Sequence, residues 1–150
     1  MENQDAVRKE VSRLLARQLL AVLATQEAGQ PYASLLAFAV GSDLAGIFLA
    51  SDRNTRKFKN IQEDNRVALL VDDRANQPAD FQAAAAVTII GKVCELQGRA
   101  MEEARTIYLA RHPSLAEFVM APHTALLRVA VSRYILVTRF QEAVVLDMNG

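Results

Sequence analysis

A cationic segment follows a short apolar stretch near residue 50, and its residue types suit the binding of an anion. The segment reads Ser51-Asp52-Arg53-Asn54-Thr55-Arg56-Lys57-Phe58-Lys59-Asn60. We predict a helix from Asn54 to Gln62 with Asn54 as its N-cap, which places Thr55, Arg56 and Lys57 in the first turn. This placement is unfavourable by itself, because a helix N-terminus carries about +0.5 charge and each cation there costs about 0.3–1 kcal/mol.

A bound anion would remove this conflict. The N–H groups of a first helical turn point towards an anion, the helix dipole attracts it, and Arg56 and Lys57 can neutralise its charge. The hydroxyls of Ser51 and Thr55 can add two further donors. The alternative is a solvated basic helix start without a ligand, and the spacing alone gives the two interpretations equal weight.

The elements around this segment predict a mainly β fold with flanking helices. Five apolar residues near the N-terminus recur at helical spacing and predict an amphipathic helix: Val7, Val11, Leu14, Leu15 and Leu19. Short apolar segments separated by turn residues predict six or seven strands in the rest of the chain, together with two or three more helices. Because the strands are closely spaced and joined by tight turns, we expect an antiparallel β-barrel rather than a parallel sheet.

The stretch from Phe81 to Leu96 is predicted to be one long strand. Its alanine run, Ala83–Ala86, has helical propensity, but the β-branched residues that follow favour a strand. Gly91 lies inside this stretch and indicates a bulge or a sharp bend.

Composition limits the class of protein. A chain of 150 residues suits one domain, which we expect to span residues 1–150. The 17 basic and 17 acidic residues balance, which argues against a nucleic-acid binder or a membrane-surface binder. One cysteine excludes an internal disulfide, and two histidines without a Cys-x-x-Cys pair give no zinc motif. The polar residues 1–5 are unlike a secretory signal, and the apolar run Phe81–Gly91 is too short to span a bilayer, so we expect a cytoplasmic protein.

Five motifs in order resemble the pyridoxamine 5′-phosphate oxidase-like family of FMN-binding split barrels. They cover residues 20–96 and read Gly29-Gln30-Pro31-Tyr32, Ile47-Phe48-Leu49-Ala50-Ser51, Thr55-Arg56-Lys57, Asn65-Arg66-Val67-Ala68-Leu69-Leu70 and Ile90-Gly91-Lys92-Val93-Cys94-Glu95-Leu96. Two later segments, at 108–113 and 139–143, are similar to the haem-utilisation branch of the same superfamily.

The resemblance implies a cofactor and a set of contacts. In the family a Ser/Thr-Arg-Lys motif holds the FMN phosphate, and Thr55, Arg56 and Lys57 match it. Ser51 stands where a family threonine also contacts FMN. The strand after the Gln-Pro turn lies against the isoalloxazine ring, which implies ring contacts from the run Ser34-Leu35-Leu36. Family members bind FMN between two subunits, so the resemblance implies a homodimer, and the amount of apolar strand in so short a chain points the same way.

Three positions depart from the oxidase proper. The oxidase has an arginine where Ser34 stands, a lysine near Ala39 and a glutamine near Ala86, and this chain also lacks tryptophan. The sequence therefore favours an FMN-binding oxidoreductase with an unidentified small-molecule substrate. Two alternatives stay open: a haem-binding protein, with His123 as a candidate ligand, or a non-catalytic module that binds flavin or another phosphorylated ligand. His112, before Pro113, is expected to cap a helix rather than to bind a ligand.

Overall fold

The computed structural model describes residues 3–138 and 142–149, so the first three residues of the segment 139–143, which is similar to the haem-utilisation branch, lie outside the described residues. The strands are β1 (Leu20–Glu27), β2 (Gln30–Val40), β3 (Gly46–Asp52), β4 (Arg66–Asp72), β5 (Ala86–Glu95), β6 (Thr124–Thr138) and β7 (Glu142–Asp147). The helices are α1 (Gln4–Arg17), α2 (Arg56–Glu63), α3 (Asp80–Ala83), α4 (Gly98–Arg111) and α5 (Ala116–Met120), with a 3₁₀ turn at Pro113–Leu115.

The strands form one antiparallel sheet in the order β3-β2-β1-β4-β5-β6-β7. Strand β3 also pairs with β6, from Gly46 opposite Ala130 to Asp52 opposite Thr124, so the first six strands close into a barrel. Strand β7 continues the sheet beyond the far half of β6. The antiparallel barrel with flanking helices that the sequence predicts is confirmed.

Alternate residues of the strands fill the barrel. In β1 the inward positions Ala21, Leu23 and Thr25 are buried, whereas Leu20, at the start of the strand, is exposed. Helix α1 covers one end with four of the five residues predicted for it, but Leu19 does not belong to the set. The helix ends at Arg17, and Leu19, two residues further on, is 52% exposed, so the predicted helical spacing extended beyond the end of the helix.

Strand β5 is shorter than predicted because its N-terminal part forms α3. Helix α3 takes residues 80–83, and β5 starts only at Ala86. The preference for strand across the whole alanine run was therefore wrong. The Asp80 carboxylate accepts backbone hydrogen bonds from Ala75 and Gln77, which folds this loop into a helical turn despite the β-branched residues that follow.

Gly91 lies at a break in the β5–β6 register, as predicted. Ile90 pairs with Arg133 and Gly91 with Val131, so Ser132 is the extra residue of the bulge, on β6 rather than on β5. A Cβ atom at position 91 would lie 2.4 Å from the carbonyl oxygen of Ala130, so only glycine fits at this close approach.

Candidate functional site

Helix α2 starts one residue later than predicted. Thr55, not Asn54, is the N-cap: its backbone is extended, and its Oγ1 accepts the N–H of Phe58 at 3.3 Å. Asn54 instead belongs to the turn before the helix, where its N–H is bound by the carboxylate of Asp52. Arg56 and Lys57 are consequently the first two helical residues, where cations are least favourable.

Two hydroxyls lie together beneath this turn. Ser51 Oγ is 3.1 Å from Thr55 Oγ1, and both hydroxyls are within hydrogen-bonding distance of the Asp52 carbonyl, at 3.2 and 2.8 Å. Ser51 is buried at 2% exposure. The structure therefore brings together two of the predicted cofactor-binding residues, with their hydroxyl protons directed at the turn itself in this state.

Four donor groups lie at the helix start, and three of them have no partner among the described residues. The backbone N–H groups of Arg56 and Lys57 have no partner among the described residues, because the cap serves Phe58 and the first intrahelical bond runs from Lys59 to Thr55. The Lys57 ammonium forms no ion pair with any residue that the structure describes. The Arg56 guanidinium pairs with the carboxylate of Glu27, at the end of β1.

A cleft opens beside this ion pair. Its volume is about 420 Å³, and it is lined by Glu27, Gln30, Tyr32, Arg56 and Asn60. It lies between the β1–β2 hairpin and α2. The hairpin turn itself is two residues long, with Ala28 and Gly29 both at positive φ, so the pairing of Glu27 with Gln30 is tightly fixed.

Three consecutive residues of β1 contact α2. Thr25 accepts a buried hydrogen bond from Asn60, Gln26 donates to Asp64 just beyond the helix, and Glu27 pairs with Arg56. The sequence patterns did not predict these contacts. One signal was available: Thr25 stands at an inward position after Ala21 and Leu23.

The carboxylate of Asp64 is held by several donors. Arg66 binds it through its guanidinium and its backbone N–H, and Gln26 adds a further hydrogen bond. These donors, with the Arg66 side chain first among them, hold the pKa of Asp64 well below its ordinary value. The end of α2 is thereby tied to β1 and to the start of β4.

The three predicted ring-contact residues lie on two faces of β2. Ser34 is opposite the buried Leu23, and Leu36 packs against the barrel core, so both side chains face inwards. Leu35 projects from the outer face and is 64% exposed. Ser34 Oγ is buried without a hydrogen-bond partner in the described part of the chain, which is unusual for a hydroxyl.

Leu35 belongs to an apolar row that crosses the outer face of the sheet. Strand pairing places six residues side by side, in the order Leu35, Val22, Leu70, Thr88, Ile135 and Val145. Leu35, Leu70 and Val145 are exposed. A row of this kind, with three exposed apolar side chains among half-buried ones, is typical of an interaction surface.

The positions at which the chain departs from the oxidase lie in different surroundings. Ala39 is buried at 3% exposure in a second apolar cluster, against Tyr108 of α4. Burial raises the pKa of the Tyr108 hydroxyl to about 12, and this hydroxyl donates to the Ala37 carbonyl. Ala86 is half-buried at the start of β5. A lysine at position 39 would therefore have to displace α4.

The two histidines differ in burial. His112 caps α4 as predicted: its N–H donates to the Tyr108 carbonyl, and its Nε2 lies 2.6 Å from the Phe38 carbonyl. His123 is exposed before β6, and its carbonyl accepts the N–H of Arg53.

The described residues contain no group of three or more histidine, cysteine or acidic side chains arranged to hold a metal ion. Over the same residues, no helix has the length and apolar character needed to cross a bilayer.

The closed barrel with its capping helices defines a split β-barrel. Residues 7–138 match the family model described as pyridoxamine 5′-phosphate oxidase. The chain therefore belongs to the pyridoxamine 5′-phosphate oxidase family, and the resemblance read from the sequence is confirmed. No curated protein matches the chain.

Solved structures share the fold at low sequence identity. A haem-binding protein from Mycobacterium smegmatis superposes with a TM-score of 0.84 at 16% identity, over 98% of this chain and 59% of its own. Campylobacter jejuni ChuZ superposes with a TM-score of 0.82 at 15% identity, over 99% of this chain and 62% of its own. A FAD-binding protein from Mesorhizobium loti superposes with a TM-score of 0.71 at 19% identity, over 86% of this chain and 90% of its own. This chain thus spans about three fifths of the first two proteins, and at these identities the likeness shows the fold alone.

Proposed function

We propose that this chain is a cytoplasmic FMN-binding flavoprotein that anchors the FMN phosphate at the start of α2. The observation that carries the proposal is the set of donors there: two backbone N–H groups without a partner among the described residues, with Arg56 and Lys57 beside them. Membership of the pyridoxamine 5′-phosphate oxidase family supports it. The exposed Cys94 is the single cysteine of the sequence, so the chain has no internal disulfide, which is consistent with a cytoplasmic location.

The donor set fits a phosphate monoester. Backbone N–H groups at a helix start and a guanidinium fork suit phosphate oxygens, and two cations balance a dianion. Thr55 and Ser51 complete the site in one of two ways. They hold the turn through the Asp52 carbonyl, or they rotate their hydroxyl protons towards the phosphate.

The isoalloxazine ring is proposed to lie along β2 at Ser34, Leu35 and Leu36. Leu35 offers its side chain on the outer face, and its two neighbours offer their backbone there. Tyr32 lines the cleft beside Arg56, and Leu35 is three residues further along the strand, or about 10 Å at the usual rise per residue.

The flavin would supply the redox chemistry, which makes an oxidoreductase the proposed class of enzyme, and its small-molecule substrate is unidentified. Pyridoxamine 5′-phosphate itself is a poor candidate. Ser34 and Ala39 replace two cations of the oxidase site, and the burial of Ala39 leaves no room for a cation at that position. We expect negligible oxidase turnover with this substrate.

We also propose a homodimer formed through the outer apolar row. The row begins at Leu35, where the ring is placed, so a partner on this face would complete the flavin site. This arrangement accounts for the exposure of large apolar side chains on an otherwise well-filled barrel.

Haem binding is a second candidate function. The haem-binding protein from Mycobacterium smegmatis has the same fold across almost all of this chain, and exposed His123 offers an imidazole. A non-catalytic flavin-binding module would use the same phosphate site.

An absorption spectrum of the purified protein separates these functions. Flavin bands support the proposal, whereas a Soret band supports the haem alternative. FMN at 100 times its dissociation constant should stabilise the fold by about 2.7 kcal/mol, and riboflavin, which lacks the phosphate, should not. Equal increases in melting temperature with both ligands would contradict the phosphate anchor.

A further inference from the structure

The carboxylate of Glu27 is paired with the guanidinium of Arg56, which the proposed function assigns to the phosphate. Glu27 and Arg56 both line the cleft at the start of α2, and they form an ion pair across it. An acidic side chain thus stands where an anionic ligand would bind. The contact resolves, within the protein, part of the conflict created by a cation at the first helical position.

The ion pair is weak enough to be displaced. The Arg56 and Glu27 side chains are 55% and 50% exposed. For an exposed ion pair of this kind, the paired form is favoured over the separated form by a factor of about 1.5 to 5. Charge-assisted hydrogen bonds between a guanidinium and a phosphate increase the binding equilibrium constant by a larger factor, about 10 to 150. A phosphate monoester would therefore displace Glu27 from Arg56. Because the ion pair must be broken first, the affinity for the phosphate is lower than it would be without Glu27.

Helix α2 does not depend on this contact for its position. The buried hydrogen bond between Asn60 and Thr25 and the bond from Gln26 to Asp64 hold the same helix to the same strand. Glu27 can leave Arg56 while these two contacts stay in place. The tight hairpin turn keeps its backbone next to the cleft meanwhile.

We propose that Glu27 is an internal competitor of the phosphate ligand, which neutralises Arg56 in the ligand-free protein and lowers the affinity of the site. This inference rests on the proposed function and identifies a residue that regulates that same site. Glu27 contributes no bond to the ligand. It sets how much of the protein has Arg56 available, and the apparent dissociation constant changes in proportion.

The test is an FMN titration of the full chain, monitored by flavin fluorescence, for wild type, Glu27→Gln and the control Glu63→Gln. Glu63 lies on α2 away from the cleft lining and is exposed, so the control removes the same charge. We expect Glu27→Gln to bind FMN about two to five times more tightly and Glu63→Gln to bind as wild type does. Unchanged or weaker binding by Glu27→Gln would overturn the inference.

A second background distinguishes competition from simple repulsion. Glu27→Gln should tighten binding clearly more in wild type than in an Arg56→Gln protein, because in the second background no guanidinium remains to be released and only the repulsion between Glu27 and the phosphate is removed. An equal effect in both backgrounds would show that Glu27 acts only by its charge, and would overturn the competition. Urea unfolding of each variant checks that the fold is retained, and Glu27→Asp, which shortens the reach to Arg56, replaces any Glu27→Gln protein that fails to fold.

The outcome for the proposed function is read separately. If wild type binds no FMN, that function fails, but inorganic phosphate still probes Arg56 through the shift it causes in the urea midpoint. A larger phosphate shift in Glu27→Gln than in wild type and Glu63→Gln would support the role of Glu27. Equal shifts in all three would reject it.

Discussion

Asn60 Nδ2 donates a hydrogen bond to Thr25 Oγ1 at 3.0 Å, and both residues are buried, at 2% and 4% exposure. This contact joins the middle of α2 to β1, between the phosphate-site end of the helix and the Asp64 end. It is a polar pair within the apolar surroundings of Phe58 and Ile61, and it fixes how α2 sits against the barrel.

Asn60→Ala should lower the free energy of unfolding by about 1–3 kcal/mol, because it leaves the Thr25 hydroxyl buried without a partner. Urea unfolding measures this loss. The exposed Asn54→Ala serves as the control and should change stability by no more than about 0.5 kcal/mol. The double variant Asn60→Leu with Thr25→Val removes both polar partners and should recover part of the loss. A double variant no more stable than Asn60→Ala would count against the hydrogen bond as the cause.

Arg56→Gln should weaken FMN binding about 10- to 150-fold, since it removes a charge-assisted contact worth about 1.5–3 kcal/mol and leaves Glu27 facing the phosphate. Flavin fluorescence titration measures the affinity. Lys59→Gln, on the same helix, is the control and should change affinity less than threefold or so. If both variants bind equally well, Arg56 is not the phosphate anchor.

Arg56→Glu should also abolish FMN binding, but it should not stabilise the ligand-free protein. The helix dipole alone would favour a carboxylate at this position by about 0.3–1 kcal/mol. In the folded protein, however, Glu27 would face the new carboxylate across the cleft. Urea unfolding without ligand checks the sign, and a clear gain in stability would show that Glu27 is not close to position 56 in solution.

Leu70→Lys should convert the proposed dimer into a monomer, because it places a charge at the centre of the outer apolar row. Sedimentation should then give a mass near the 16.5 kDa of one chain. Met120→Lys changes another exposed apolar residue, which lies on α5 and outside the outer apolar row, and this variant should keep the mass of wild type. A monomeric wild type at micromolar concentration with FMN would contradict the dimer itself.

Asp64→Asn should lower stability at neutral pH, and its difference from wild type should shrink in acid. The pKa of Asp64 is depressed in the folded protein by Arg66 and Gln26, so its contribution is complete above the ordinary value of 3.8 and is lost as pH falls below it. Urea unfolding from pH 7 to pH 2.5 follows this loss. Arg66→Gln removes the main donor to Asp64, so the free energy of unfolding of this variant should depend less on pH over the same range. A constant difference across that range would refute the assignment.

The sequence by itself determined the class of fold and the location of the candidate site. The alternation of apolar residues, the tight turns and the glycine at the bulge all act over a few neighbouring residues. Local spacing therefore sufficed to predict the antiparallel barrel and a bulge at Gly91. The cations at the start of α2 were also visible locally, because they violate a rule about helix ends that depends only on chain neighbours.

The tertiary structure alone decided what those cations face. Glu27 is 29 residues from Arg56, and Thr25 is 35 residues from Asn60, so no local pattern relates them. The same limit explains the N-cap, where Asn54 and Thr55 are both good capping residues and the bonds of the Asp52 turn select Thr55. Strand pairing also decided that Ser34 and Leu36 face the core while Leu35 faces outwards, because a strand's two faces acquire an inside and an outside only when the barrel closes.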